Sequence, residues 1–281
     1  MRVIVIGGMN LDLLGMVDTP LTARDSNPGR VISRPGGVGR NIAARLRGLG
    51  VETALLTALG NDDRATLLRN ACRRDGIDLS LSVQTACPAP CYLCIHDEKG
   101  DMALAVNDMA AMAQLTPQTL SPLLPRINGY DGCVLDANLS AEALDFLAVH
   151  VTVPLFLDPV SCHKAPRVLP ILPRLAAIKP NRMEAQALTG EADPAQAAQA
   201  LLSMGVKNVF ISLGGEGVYY ANAQAHGLQP ALPLPAAPLT GAGDALCAGL
   251  MRALLSGKPI QACAQDGVQS AYQVLLASIG A

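Results

Sequence analysis

The chain has 281 residues, half of them hydrophobic, and carries 21 Lys and Arg against 23 Asp and Glu, a net charge of −2. This length suits one large α/β domain or two small ones, and the balanced charge excludes a surface built for nucleic acid polymers. No apolar run approaches the roughly 18 residues of a membrane span, and the N-terminal run is too short for a signal peptide, so we expect a cytoplasmic protein without membrane contact.

Short apolar runs alternate with helical patterns along the chain. The runs are continuous in hydrophobicity, as buried parallel strands are, and cover 3–7, 132–135, 154–157, 176–178 and 209–213. Helical spacing covers 41–49, 64–75, 141–150, 182–188, 194–204 and 245–255. This alternation predicts a layered α/β fold with helices on both faces of a mostly parallel sheet.

Two segments depart from the alternation. Residues 15–35 have no helical period, and residues 84–106 indicate a hairpin with strands at 92–96 and 102–106. We expect a small β-flap beside the main sheet, built from about 13–35 and 84–106, inside a single domain of residues 1–281.

The eight cysteines suggest no disulfide framework, since no export signal is present. Cys87, Cys91 and Cys94 are closely spaced, but Cys91 and Cys94 fall on opposite faces of a strand. No second Cys or His pair has zinc spacing, so a structural role is expected. The four histidines are scattered and are interpreted as non-catalytic.

Polar residues follow the predicted strands at a consistent place. They are Asn10 and Asp12, Asp136 and Asn138, Asp158, Lys179 and Asn181, and Ser212 and Gly214. Ligands of open α/β sheets bind outside the carboxyl ends of the strands, so these residues predict an active-site rim. Ordinary polarity of surface loops explains part of the pattern.

Two familiar phosphate-binding motifs are absent. The glycine cluster at 36–43 has Ile42 where a dinucleotide fingerprint requires its third glycine. The chain's one Gly-Lys pair, Gly257-Lys258, runs into Pro259, so there is no Walker A motif. A P-loop enzyme is therefore excluded.

The same glycine cluster offers a surface for a polyhydroxylated ligand. Gly36 and Gly37 allow close approach to the backbone, and Asn41 provides both a donor and an acceptor. Asp12 has the capacity to accept two hydroxyl hydrogen bonds. The alternative for Asn41 is a helix cap.

Two further motifs allow a structural and a functional interpretation. Asn181 and Glu184 have the spacing of a capping box, and the same carboxylate at a helix start would suit hydrated Mg²⁺ beside a triphosphate. Ser212, Gly214 and Gly217 follow a strand, where a simple hairpin turn also explains the glycines.

The segment 239–246 combines small residues with one acid directly before an apolar helical run. Amide N–H groups at a helix start form an anion site, and Gly241, Ala242 and Gly243 leave them accessible. Asp244 is then positioned to take a proton beside an anionic reactant, which indicates phosphoryl transfer to a hydroxyl. The alternative is a glycine-rich loop with an acid in the first helical turn.

In order and spacing, these motifs resemble the ribokinase-like carbohydrate and nucleoside kinases, the PfkB family, over nearly the whole chain. The resemblance implies a ribokinase-like three-layer αβα sandwich with a mostly parallel central sheet and a small β-sheet lid. It also implies ATP-dependent phosphorylation of a hydroxyl on a small-molecule sugar or nucleoside, with Mg²⁺. The implied roles are Asp244 as base, with Gly241, Ala242 and Gly243 as the anion hole; Asn10, Asp12, Gly36, Gly37, Asn41, Asn107 and Asn138 for the substrate; Asn181, Ser212, Gly214 and Gly217 for the nucleotide; and Glu184 for the metal.

Within the family, four phrases of this sequence are most similar to pseudouridine kinases: 36–43, 106–109, 136–139 and 158–161. Phosphorylation of the 5′-hydroxyl of pseudouridine is therefore expected. A kinase of ribokinase or adenosine kinase type and a catalytically silent ligand-binding relative stay open as alternatives. Lids of relatives often mediate dimerisation, so a homodimer through the lid is also expected.

Two departures from the family pattern stand out. Many relatives carry an acidic residue six positions before the catalytic Asp, often a ligand of a monovalent cation. Here that residue is Pro238, which has no side-chain oxygen, so dependence on potassium is an open question. The chain also ends at Ala281, earlier than is usual, so contacts from a longer C-terminus are expected to be missing.

Overall fold

The computed structural model describes residues 1–234 and 241–279. Its strands are β1 (Arg2–Ile6), β2 (Asn10–Val17), β3 (Gly29–Gly36), β4 (Glu52–Leu56), β5 (Ala58–Leu59), β6 (Val83–Gln84), β7 (Cys91–His96), β8 (Met102–Asp108), β9 (Gly132–Asp136), β10 (Leu155–Asp158), β11 (Leu175–Ile178), β12 (Asn208–Ser212), β13 (Val218–Asn222) and β14 (His226–Gln229). Its α-helices are α1 (Val38–Gly48), α2 (Asp63–Arg74), α3 (Pro117–Leu120), α4 (Leu124–Ile127), α5 (Ala141–His150), α6 (Arg182–Thr189), α7 (Pro194–Ser203), α8 (Ala242–Leu255) and α9 (Ile260–Ile279).

The main sheet has eight strands in the order β14-β13-β12-β11-β10-β9-β1-β4. The six strands from β12 to β4 are parallel to their neighbours, whereas β13 and β14 add an antiparallel edge. Parallel neighbours require crossover connections, and helices supply most of them here. The strand predictions in this region are confirmed, with shifts of one or two residues at their ends.

The main sheet has a hydrophobic core on each face, and the side chains of β1 alternate between the two cores. Val3 and Val5 pack with α1, α2, α8 and α9, whereas Ile4 and Ile6 pack with α5, α6 and α7. Successive residues of a strand point to opposite faces, so a fully apolar strand requires a helical layer on each side. The predicted three-layer αβα sandwich is confirmed.

A separate four-stranded sheet forms the lid, in the order β3-β2-β7-β8. Its first strand begins at Asn10 rather than near residue 13, so Asn10 and Asp12 belong to the lid and not to a loop after β1. Its second part begins at Cys91, because Val83–Gln84 pairs with β5 in a sheet of its own. The predicted lid boundaries near 13 and 84 are therefore corrected to these positions.

The C-terminal helix α9 was not predicted from sequence. It crosses α8 closely: a Cβ at Gly267 would lie 2.8 Å from Leu250 Cγ, and one at Gly249 would lie 2.7 Å from the Asp266 carbonyl oxygen. The glycines that weaken a helical pattern thus permit this contact. No helix in residues 1–234 and 241–279 is both long and apolar enough to cross a bilayer.

All eight cysteines are free thiols. Cys91 pairs with Leu11 across the lid, and Cys94 pairs with Leu14 three positions further on, so the two cysteines face opposite sides of β7. Within the described residues, no group of three or more His, Cys, Asp or Glu side chains could hold a metal ion.

Candidate active site

The N-terminus of α8 lies at the centre of the candidate site. Gly241 is its N-cap residue, with φ 81° and ψ −2°, in the left-handed region that glycine adopts at little cost. No side chain caps the helix, so the first N–H groups stay available to an anion. Pro238, the position at which relatives carry an acidic cation ligand, lies outside the described residues.

Asp244 lies in the first turn of α8 and is held from α1. Asn41 Nδ2 donates a hydrogen bond to Asp244 Oδ2 over 2.9 Å, so Asn41 does not cap its helix, which begins at Val38. Burial, together with the Asp158 carboxylate, raises the pKa of Asp244 to about 7, against the opposing effects of Asn41, Lys179 and Arg45. A carboxylate with a pKa near neutrality suits proton acceptance at physiological pH.

A buried ion pair lies beside the anion site. Lys179 Nζ is 3.1 Å from Asp158 Oδ2, and the two side chains are only 9% and 6% exposed. Burial by itself lowers the pKa of Lys179, but the charges of Asp158 and other neighbours outweigh it and raise that pKa. Lys179 Nζ is also 3.9 Å from the position of a Cβ at Gly243. Both residues were placed on the rim from sequence, but their pairing was not predicted.

Asp12 lies on lid strand β2 beside Gly36. Asn10 Nδ2 donates a hydrogen bond to Asp12 Oδ1, and a Cβ at Gly36 would overlap the Asp12 carboxylate. Burial raises the pKa of Asp12, against the opposing effects of Asn10 and Arg34. The structure thus brings three of the predicted substrate residues together.

Two more predicted substrate residues meet at the turn after β1. Gly37, the N-cap of α1, packs on Gly8, and a Cβ at Gly8 would lie 2.5 Å from Asn138 Nδ2. Lys164 Nζ donates a 2.6 Å hydrogen bond to Asn138 Oδ1, and burial lowers the pKa of Lys164. Lys164 was missed from sequence, because it lies in an irregular segment without a motif.

Asp136 holds this turn together and is completely buried. Its Oδ2 accepts hydrogen bonds from Gly8 N (2.8 Å) and Gly39 N (2.9 Å), and its Oδ1 accepts one from Asn138 N (2.9 Å). The carboxylate therefore joins the ends of β1 and β9 to α1. Its role on the rim is to position the backbone rather than to contact a ligand.

Asn107 lies apart from the other predicted substrate residues. It is exposed on β8 and is paired through Tyr92 of β7 with Asp12 of β2. Residues paired across strands share a face of the sheet, so Asn107 is on the Asp12 face of the lid but two strands away.

The predicted nucleotide residues line one cavity of about 410 Å³ with the anion site. Many of its lining side chains are apolar, which suits the faces of a purine ring. The predicted members are Asn181, Ser212, Gly214, Gly217, Ala242 and Gly243, and the apolar ones include Val218, Leu232, Leu246, Val268 and Leu275.

Glu184 forms the predicted capping box. Its Oε2 accepts a hydrogen bond from Asn181 N (2.9 Å), and its N–H donates to Asn181 Oδ1 (2.8 Å). Burial and the nearby Asp158 raise the pKa of Glu184, against the opposing effects of Asn181 and Lys179. A hydrated Mg²⁺ needs only one or two carboxylates beside the substrate's phosphates, and this acidic position next to the nucleotide cavity fits that requirement.

Known proteins agree with this architecture. The family model described as pfkB family carbohydrate kinase matches residues 1–278. The chain is 36% identical over 266 residues to pseudouridine kinase of Escherichia coli, covering 92% of this chain and 85% of the relative. Ribokinase of Thermotoga maritima superposes with a TM-score of 0.86 at 25% identity, covering 96% and 91% of the two chains. Arabidopsis thaliana ribokinase complexed with ribose and ATP gives a TM-score of 0.84 at 21% identity, covering 96% and 91%.

Proposed function

The chain belongs to the pfkB family of carbohydrate kinases and is an ATP-dependent kinase of a sugar or nucleoside; within that activity we propose that it phosphorylates the 5′-hydroxyl of pseudouridine. The observation that carries the chemistry is the Asn41–Asp244 hydrogen bond at the uncapped start of α8. This hydrogen bond holds the Asp244 carboxylate, whose pKa suits a proton acceptor, beside the anion site at the start of α8.

In this mechanism Asp244 accepts the proton of the acceptor hydroxyl, and Asn41 holds the carboxylate in place. The N–H groups of Ala242 and Gly243 face the phosphoryl group and offset its charge as it transfers. Asp12 and Asn10 bind ribose hydroxyls, and the lid sheet that carries them excludes water. Mg²⁺ held at Glu184 would neutralise charge on the nucleotide phosphates.

Pseudouridine is supported by the Escherichia coli relative and by the polar pair at the Gly8 turn. Lys164 and Asn138 place an ammonium and an amide beside the Gly8 turn, on which Gly37 packs. Ring carbonyls of a pyrimidine accept hydrogen bonds from such donors. A plain sugar has no base to contact the donors that remain on this pair, which favours a nucleoside over ribose.

A substrate panel tests this function. Consumption of ATP should be measured with pseudouridine, uridine, adenosine, ribose and fructose, with and without potassium, and kcat/KM should be greatest for pseudouridine. Asp244→Asn serves as the background for contaminating kinases. Preference for uridine or ribose would contradict the proposed substrate. Inactivity on every compound would favour a ligand-binding protein.

We also propose that two copies associate through the outer face of the lid. The cross-strand register places Val31 and Leu104 on the face opposite Asp12, together with Leu93 and Val106. They are 75%, 63%, 39% and 56% exposed. A contiguous apolar patch of this kind is typical of a protein interface.

The double substitution Leu104→Asp, Val106→Asp is expected to convert a dimer into a monomer, because it would bury four like charges across the interface. Size-exclusion chromatography with light scattering measures the change. Val149→Asp provides a matched control, since Val149 is 64% exposed on α5. A wild-type protein that is monomeric at micromolar concentration would contradict the proposed dimer.

A further inference from the structure

Arg45 lies one helical turn after Asn41 on α1. Residues four apart on a helix share a face, and this face of α1 packs on α8, where Asn41 contacts Asp244. Arg45 thus belongs to the same side of the helix as the residue that holds the proposed base. None of the sequence motifs pointed to it.

The guanidinium of Arg45 lies against the residue that starts α8. Arg45 Nη2 is 3.6 Å from the position that a Cβ would occupy at Gly241. Because Gly241 is the N-cap residue, this contact places a full positive charge beside the partial positive charge of the helix N-terminus.

Arg45 forms no ion pair within 4.0 Å in the part of the chain that the structure describes. Arg40, Arg182 and Arg252 each lie within 4.0 Å of an Asp or Glu oxygen, whereas Arg45 does not. The sequence of residues 235–240 contains no Asp or Glu either. Arg45 is exposed, so water solvates its charge until an anion reaches the start of α8, where the guanidinium then adds to the positive potential of the helix N-terminus.

Asp244 responds to this charge. Arg45 lowers the pKa of Asp244, as do Lys179 and the hydrogen bond from Asn41, while burial and Asp158 raise it. The Cys247 thiol, one turn along α8, is a further titratable neighbour of Asp244. A permanent cation on α1 therefore favours the ionised form that accepts a proton.

We propose that Arg45 is the fixed positive charge of the anion site, where it stabilises the terminal phosphoryl group of ATP. This role rests on the proposed phosphoryl transfer with Asp244 as base. The ligand chemistry is a phosphoryl group with two or more negative charges. A guanidinium matches that chemistry, being always charged and carrying several donors.

The test compares Arg45→Gln and Arg45→Lys with the control Arg252→Gln. Arg252 lies on α8, and its partner Asp266 keeps a second cation, Lys258, at 2.7 Å. In the preferred acceptor assay, Arg45→Gln is expected to lower kcat about 10- to 100-fold, in the range for loss of one oxyanion donor or less. The KM for the acceptor should not change. Arg45→Lys should recover most of the activity, because the charge rather than the fork geometry is needed.

Two further measurements exclude a merely structural role. Calorimetric titration of the full-length protein should show weaker binding of ATP by Arg45→Gln, with ADP binding unchanged, because only ATP carries the terminal phosphoryl group. The midpoint of the kcat/KM–pH profile should move to higher pH, since the pKa of Asp244 rises when the cation is removed. Wild-type ATP binding and an unshifted midpoint in Arg45→Gln would overturn the proposal.

The outcome is separable from that of the proposed function. If no acceptor in the panel is phosphorylated, the proposed function is contradicted. The role of Arg45 is then decided by comparing the affinities of Arg45→Gln for ATP and for ADP. If pseudouridine is phosphorylated and Arg45→Gln gives the same values as Arg252→Gln in every assay, the proposed role of Arg45 is contradicted and the proposed function is supported.

Discussion

Replacing Asp244 with asparagine is expected to lower kcat by about 10³-fold, within the range for loss of a general base. The change keeps the shape of the side chain, and its amide oxygen can still accept the hydrogen bond from Asn41 Nδ2 that now spans 2.9 Å. The KM for the acceptor should therefore change little. Steady-state kinetics with the preferred nucleoside measures both constants.

The same substitution at an aspartate away from the site controls for the loss of one negative charge. Asp145 is exposed on α5, so Asp145→Asn should leave kcat unchanged. Equal turnover by wild type and Asp244→Asn would exclude Asp244 as the base and would remove the central step of the proposed mechanism.

The wild-type pH profile provides a second measure of the same group. Because the pKa of Asp244 is raised to about 7, the carboxylate is protonated below that pH and unable to accept a proton. We expect kcat/KM to rise as pH increases through about 7, with about a tenth of the plateau one unit below the midpoint. A flat profile across this range would contradict the raised pKa.

Replacing Lys179 with methionine is expected to destabilise the protein by about 3–5 kcal/mol, the cost of leaving one member of a buried ion pair without its partner. Lys179 and Asp158 are 9% and 6% exposed, so water cannot solvate the Asp158 carboxylate once the ammonium is removed. Urea denaturation measures the free energy of unfolding.

Two comparisons identify the origin of the loss. The double substitution Asp158→Leu, Lys179→Met should recover much of the stability, because apolar replacement of a whole buried pair is often neutral. Arg182→Met breaks the exposed pair with Glu216, whose side chains are 44% and 66% exposed, and should cost less than about 1 kcal/mol. A loss below about 1 kcal/mol for Lys179→Met would show that Asp158 does not depend on its partner.

Much of the main sheet could be predicted, because parallel strands covered on both faces appear as continuous apolar runs. The lid could not be bounded, because its strands lack that signal. β2 reads Asn-Leu-Asp-Leu-Leu-Gly-Met-Val, and β3 contains Pro35. β3 is an edge strand, where proline is tolerated. Its turn-forming residues therefore gave no indication of a strand in the sequence.

The site was predictable in its residue types but not in its pairings. The family resemblance indicated that Asn41 and Asp244 share a site, yet the bond between them joins positions 203 residues apart. Likewise, Asp158 and Lys179 were placed on one rim without a reason to pair them. Nothing in the sequence distinguished Arg45, since arginine in the middle of a helix is ordinary. Only the packing of α1 on α8 gives it a role.

The junction between the lid and α1 has a mechanical consequence. β3 ends at Gly36, α1 begins at Val38, and only Gly37 separates them. Four residues of chain therefore separate Gly36, which contacts Asp12, from Asn41, whose amide holds Asp244. A helix is stiff over this distance, so any shift of the lid strand on binding a sugar would also reorient Asn41 and the base it holds. This short connection would couple recognition of the acceptor to its deprotonation without involving the main sheet.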